Sequence, residues 1–366
     1  MGNRSCSIII SSFNYERYLA EAVESALAQD GDDVEVIVVY DGSSDGSRDI
    51  LPTYEHAVTC IFKENGGEAS AWNAGFAASE GEVAVFFDSD DVLEPDAVGA
   101  FLPHFADPDV VLVHWPLRLV DEDGADLGEI NPRPPLADGH LRDVLLAGGP
   151  GALRGPVNSG CAWSRRFLTT AMPVPEDVYR IGADSYLSTL APVSGRIVAL
   201  ERPLARYRQH GTNTASLTAR EVVDRERGLY PERCAAVAAF LAGHGIEVDL
   251  GEWERQYYFN RVERTVGAVD RVVPAGTCFV LVANASVPHE LFDRRRPVGI
   301  ELLAGSAKPA DDDAVALLPA LHRFEYVVFA WSCFWWLEHY RDFARRLLEE
   351  FPATYESEDV RIFRRA

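Results

Sequence analysis

The chain has 366 residues, 47% hydrophobic and 25% charged, the composition of a folded globular protein of about two domains rather than a disordered one. Lys and Arg number 34 against 57 Asp and Glu. The formal charge of -23 makes the average surface repel nucleic acid and anionic lipid, so nucleic acid is excluded as a partner and an anionic ligand needs a local site or a metal ion.

From the N-terminus, residues 7–10 read as a strand and Ser11-Ser12-Phe13-Asn14 as a polar loop into a helix. In YERYLAEAVESALAQ the positions Leu19, Ala22, Val23, Ala26 and Leu27 make one helical stripe. VEVIVVY (34–40) is a β-branched run stopped by the breakers DGSSDGS, with a short helix over 47–54. A third strand near 58–62, a helix over 69–79 and a fourth strand, VAVFF (83–87), continue the βαβ rhythm of a parallel sheet. Strands are predicted again at 110–113 and near 197–200, with a helix around 184–190 between them; the Gly/Pro-rich span 121–155 reads as surface excursions or a flap, and 207–216 as a polar stretch. Residues 221–267 read as mostly helical, and 277–283, 326–330 and 360–363 as strands of a smaller α/β unit, with the helix FARRLLEEF before the last.

The six cysteines form no C-x-x-C pair and no zinc-finger spacing, so neither a disulfide scaffold nor structural zinc is expected. No apolar stretch reaches 18 residues and the first ten residues are too short a run for a signal peptide, which makes the cytoplasm the expected location. Met1-Gly2 followed by Ser5 and Cys6 is a weak acylation pattern, a route to peripheral membrane association.

The fourth strand ends in DSDD. Asp88, Asp90 and Asp91 repel one another, and they offer the hard oxygen ligands that Mg²⁺ or Mn²⁺ takes; a solvated turn with Asp91 capping the next helix is the plainer alternative. Asp41 ends the second strand at the same sheet edge, where open α/β sheets bind ligands. Its carboxylate can accept the imide N–H of uracil or thymine, or simply serve a turn. Asn65-Gly66-Gly67 and Asn73-Ala74-Gly75 add amides and flexible backbone on the way into DSDD.

In this order, SIIISSFNYERYL, VEVIVVYDGSSDGS, ENGGEASAWNAGFAASEGE and VAVFFDSDDVLEPDAV resemble the nucleotide-sugar-binding half of glycosyltransferase family 2, and RIGADSYLSTLAPVSGRIVAL with ERPLARYRQHGTN resembles its acceptor half. The resemblance implies a GT-A-type α/β sandwich around a mostly parallel sheet (1–220), a helical connection (221–270) and a small α/β C-terminal domain (271–366) like extensions on bacterial polysaccharide-building enzymes. It implies an inverting transfer from a nucleoside-diphosphate sugar, UDP- or dTDP- favoured over GDP-, to a carbohydrate, lipid-linked or other hydroxyl acceptor, with an oligomer as an open option. Residue by residue, Asp184 becomes the base; Asp90, Asp91 and His210 the Mg²⁺ or Mn²⁺ contacts; and Ser11, Phe13, Asn14, Asp41, Asn65, Asn73, Asp88 and Ser89 the donor contacts.

Four positions depart from the family pattern: Ser11-Ser12 stand where Pro-Thr is frequent, Tyr40 for Asp, Trp72 for Arg and Ala183 for Glu. Two alternatives remain at this stage. A sugar nucleotidyltransferase would need a Gly-rich basic loop that SSFNYERY does not supply, and a catalytically dead glycan-binding scaffold would rest on the aromatic segment WSCFWWLEHYRDF (331–343), whose commoner use is a core seam.

Overall fold

A strand that reads as an unbroken apolar run has to be covered on both faces, which a parallel sheet with helices on either side provides. The computed structural model describes residues 5–30, 33–153, 156–211, 218–283, 286–292, 294–305 and 310–366. The chain divides into two compact units, one of residues 1–216 and 229–254 and one of 217–228 and 255–366, so the helix Ala219–Gly243 contributes to both.

In the first unit the strands are β1 (Cys6–Ser12), β2 (Val34–Asp41), β3 (Thr59–Lys63), β4 (Val83–Asp88), β5 (Val92–Leu93), β6 (Val110–His114), β7 (Leu117–Val120), β8 (Asp126–Asn131), β9 (Cys161–Ser164), β10 (Arg196–Ala199) and β11 (Ala205–Arg208). Seven of them form one sheet in the order β10-β6-β9-β4-β1-β2-β3, parallel except for β9, which runs antiparallel to both β4 and β6. The fold class expected from the sequence, a mostly parallel sheet with helices around it, is the one observed.

The strand order places the site. The chain winds outward from β1 through β2 to β3 and then returns to the other side of β1 as β4, so the order reverses between β1 and β4, where open α/β sheets leave a crevice. Register sets Ser11 beside Asp88 and Ser12 beside Tyr40. The C-terminal ends of β1, β2 and β4 therefore deliver 11–14, Asp41 and the DSDD run to one edge. Ile8, Ile10, Val36, Val38, Val85 and Phe87 anchor these strands in a core shared with Leu19, Val23 and Phe101.

A second sheet, β5-β11-β7-β8, does a separate job. Val92 and Leu93, which directly follow DSDD, pair antiparallel with Arg206 and Ala205. Two residues of pairing thus bind the exit of the aspartate run to a strand more than a hundred positions downstream. The span 121–155, read from its glycines and prolines as loop or flap, contains β8 and the helix Arg142–Gly148 among its described residues. Its strand was hidden because DLGEIN lies exposed at a sheet edge, where no apolar alternation is required. Of the polar stretch 207–216, residues 212–216 lie outside the described residues, as do residues 1–4 with most of the acylation pattern.

The second unit has strands β12 (Cys278–Val282), β13 (Arg296–Gly299), β14 (Tyr326–Ala330), β15 (Ala353–Glu356) and β16 (Val360–Arg364) in the order β13-β12-β14-β16-β15. Trp336, Tyr340 and Phe343 of the aromatic segment are buried with Phe329, Leu347 and Phe363 in one core cluster. That segment is a core seam along the sheet. No helix among the described residues is long and apolar enough to cross a membrane.

Candidate active site

The DSDD turn brings one carboxylate oxygen each from Asp88, Asp90 and Asp91 within 4.8 Å of one another. Asp90 and Asp91 are buried and Asp88 partly so. Three such groups cannot all stay ionised without a counter-charge. Burial, then the Asp90 charge, pushes the Asp88 carboxyl up to about 7, although Asn158 Nδ2 donates to Asp88 Oδ1 at 2.7 Å. Burial, then Asp90 and Asp88, holds Asp91 well above the usual carboxylate range. Asp91 Oδ1 accepts from the Arg208 amide at 3.1 Å, while its buried Oδ2 and the buried Ser89 hydroxyl have no hydrogen-bond partner among the described residues. Hard oxygens with one orphaned carboxylate oxygen among them are a donor set that suits Mg²⁺ or Mn²⁺.

Arg208, which sequence reasoning passed over, fixes this turn. Its side chain is 3% exposed; Nε donates to the Asp90 carbonyl at 3.0 Å, Nη2 to Glu21 at 2.5 Å, and the guanidinium lies 4.8 Å from the Tyr18 ring centroid. Two residues on, His210 Nε2 sits 3.0 Å from Asp90 Oδ2. The imidazole is 4% exposed, stacked on Tyr18 with centroids 5.0 Å apart and edge-on to Tyr15 at 5.3 Å. His210 therefore meets the aspartate cluster through Asp90. The β5–β11 pairing makes this approach happen.

Asp184 opens the helix Ala183–Ser194, with its Oδ1 accepting the Ser185 amide at 2.8 Å. Its charge is felt by Asp88 and by Glu68, so base candidate and aspartate turn share one electrostatic neighbourhood. Glu68 is the second residue the sequence reading missed. Its Oε2 accepts from the Gly182 amide at 2.6 Å and the Ala183 amide at 3.3 Å. Burial, then Asp184, then Asp88, pushes its carboxyl up to about 8 against those two hydrogen bonds.

Asp41 is 3% exposed and fully engaged. Lys63 Nζ at 2.5 Å and the Gly66 amide at 2.9 Å donate to Oδ1; Asn65 Nδ2 at 3.1 Å and the Gly67 amide at 2.8 Å donate to Oδ2. Four donors use the four acceptor positions a carboxylate has. Asp41 thereby organises the 63–67 loop, and Asn65 is joined in turn to the Arg180 guanidinium. Asn73 is spent on another loop: it exchanges hydrogen bonds with the Val174 backbone at 2.9 and 2.8 Å and donates to Glu176 at 3.0 Å. Asn14, with φ of 59°, accepts the Ser44 amide at 2.7 Å and ties the β1 loop to the β2 loop. Beside it Phe13 is 45% exposed, a large aromatic ring presented at the strand-order switch. Ser11 is partly buried in register with Asp88.

Trp72, where the family often has Arg, is fully buried and stacked on Phe86 at 4.1 Å with an interplanar angle of 6°. The position belongs to the core in this chain, and Arg180 brings a guanidinium to the Asn65 loop from another segment.

The sequence profile of Glycosyl transferase family 2 matches residues 7–148. A protein of Nostoc sp., described as an uncharacterized glycosyltransferase, is 34% identical over 283 residues, 73% of this chain and 87% of the relative. EpsH of Bacillus subtilis, named as a glycosyltransferase, is 25% identical over 320 residues, 82% of this chain and 83% of that protein. Among solved structures, S. aureus TarS 1-349 in complex with UDP superposes with a TM-score of 0.47 at 19% identity, covering 79% of this chain and 85% of that one.

Proposed function

The chain belongs to glycosyltransferase family 2 and is a glycosyltransferase, and from that premise we propose an inverting, divalent-metal-dependent transfer of a sugar from a nucleoside diphosphate to a hydroxyl acceptor, in polysaccharide or glycoconjugate synthesis. What supports the reading is the three-carboxylate turn together with the Asp184 charge, which, behind burial and the Asp90 charge, helps raise the Asp88 carboxyl. In a single displacement Asp184 takes the proton of the acceptor hydroxyl as its oxygen bonds to the anomeric carbon, while the bond from that carbon to the diphosphate oxygen breaks on the opposite face.

Asp90 and Asp91, with Asp88 assisting, would hold the Mg²⁺ or Mn²⁺, and His210 and Arg208 would keep Asp90 and its turn in place. When bound, the ion supplies positive charge that offsets the negative charge of the leaving diphosphate. For an acidic chain this local charge is what makes an anionic donor acceptable.

Phe13 is the residue we assign to the nucleobase, by stacking. Ser11, in register with Asp88, stands at the same edge for the diphosphate, whereas Ser89 is fully buried beneath the turn. The expected preference for UDP or dTDP over GDP came from a direct contact by Asp41, whose oxygens are used by four protein donors; Asp41 acts instead by shaping the Asn65–Gly67 wall. We place the reaction in the cytoplasm, in keeping with six cysteines that are all free thiols.

The test is product stereochemistry. With Mn²⁺ and a panel of UDP-, dTDP- and GDP-sugars, proton NMR of the glycoside formed by an α-linked donor is expected to show the β-anomer. An α-linked product would overturn the single displacement.

A further inference from the structure

The helix that bears Asp184 has no capping side chain of its own, and Gly182 at its N-cap has φ of 82°. The first amides of a helix have no partner within it and need acceptors; that of Ser185 meets Asp184 Oδ1 and the Gly182 carbonyl. Another acceptor is supplied from far away in sequence. The helix Glu68–Ala78 begins where the segment 179–183 passes over it: the Glu68 amide donates to the Arg180 carbonyl at 2.9 Å, and the Ala69 amide to the Tyr179 carbonyl at 3.3 Å. Glu68 Oε2 returns the contact on the Gly182 and Ala183 amides. Gly67 permits the approach, since a Cβ there would lie 2.5 Å from both Arg180 Cγ and the Arg180 carbonyl oxygen, and its φ is 87°.

We propose that Glu68 is a positioning residue for the base, its carboxyl oxygen Oε2 seating the amides of Gly182 and Ala183, which immediately precede Asp184, and so fixing where the Asp184 carboxylate stands. Ala183 offers no carboxylate of its own, and the acceptor arrives instead from the start of another helix. The inference rests on the reading of Asp184 as the base. A misplaced base loses rate steeply while leaving donor binding intact, because the donor is held at the β1, β2 and β4 ends.

Two measurements on the full chain separate this proposal from the base assignment. Hydrogen exchange needs no substrate: Glu68→Gln, whose amide oxygen still accepts both N–H groups, is expected to leave exchange at 182–183 as in the wild type, and Glu68→Asp, one methylene too short, to speed it at least tenfold. Equal exchange in Glu68→Asp and the wild type would overturn the seat. The kinetic arm uses whichever donor of the UDP-, dTDP- and GDP-sugar panel turns over, with methyl glycosides as acceptors. Glu68→Gln should keep kcat within about threefold, and Glu68→Asp should lose about thirtyfold in kcat at unchanged donor KM. The reverse order would assign Glu68 a charge role and refute positioning. Asp184→Asn is the control: wild-type turnover there removes the base assignment, whereas an inactive Asp184→Asn beside a fully active Glu68→Asp removes Glu68 alone.

Discussion

Nε2 of His210 lies 3.0 Å from Oδ2 of Asp90, across 120 positions of sequence. Residues that orient a metal-holding carboxylate commonly matter nearly as much as the ligand itself. His210→Ala is expected to weaken Mn²⁺ affinity by roughly 10- to 100-fold, measured by titration calorimetry on the folded variant. Unchanged Mn²⁺ affinity would detach His210 from the site.

Asp184→Asn keeps the size of the side chain and removes its ability to take a proton. Transfer should fall by roughly 10²- to 10⁴-fold with donor affinity unchanged, measured as nucleoside diphosphate release against donor binding. A loss of donor binding instead would move Asp184 from the chemistry to the donor pocket.

Phe13 is exposed where most large apolar side chains are buried. Loss of a ring stacked on a base costs about 1–3 kcal/mol in nucleic-acid binders, so Phe13→Ala should weaken nucleoside diphosphate binding about 5- to 150-fold. If the same variant alters acceptor KM alone, the ring serves the other substrate.

The carboxyls of Asp88 and Glu68 are raised to about 7 and about 8, above their unfolded values near 4. A raised folded value means the stabilisation is full below the unfolded value and is lost as pH rises through about 7 to 8. Divalent ions need the deprotonated form. The increase in melting temperature given by Mn²⁺ should therefore be larger at pH 8 than at pH 5.5, by differential scanning fluorimetry; an increment independent of pH would contradict this.

Trp72 on Phe86 sets the last prediction. Replacing the fully buried Trp72 by Ala should cost about 3–5 kcal/mol, and Trp72→Arg, which restores the frequent family residue, should cost at least as much by burying an unpaired charge. Chemical denaturation measures both. A Trp72→Arg variant as stable as the wild type would show that the position can open to the cleft.

The local pattern disclosed what depends on local pattern. β1, β2 and β4 are apolar runs ended by polar residues, and the helix Glu16–Leu27 carries a plain apolar stripe, so the sheet and its ligand edge are legible in the sequence. β9 was not: CAWS is four residues long, inserted antiparallel between parallel neighbours. Neither was β8, an exposed edge strand.

For the site, DSDD and the helix-start Asp184 were visible as motifs, yet their partners were not. Arg208 reaches Asp90 and Asp91 only because Val92–Leu93 pairs with 205–206, and two residues of pairing leave no periodic signal. Glu68 opens an ordinary helix, where an acidic residue needs no special reason; its meeting with Gly182 depends on the close pass at Gly67. Asp41 and Asn73 are legible as polar residues at a ligand edge, but their hydrogen bonds to the 63–67 and 174–176 loops are long-range and leave no local signal.

Calorimetric titration of UDP, dTDP and GDP into the wild type and into Asp90→Asn, each with Mn²⁺ and again with EDTA, addresses the central claim directly. Binding of at least one nucleotide to the wild type that falls at least tenfold in EDTA, and falls likewise in Asp90→Asn with Mn²⁺ present, is the predicted result. Nucleotide affinity equal in EDTA and Mn²⁺, or unaltered by Asp90→Asn, would contradict the account.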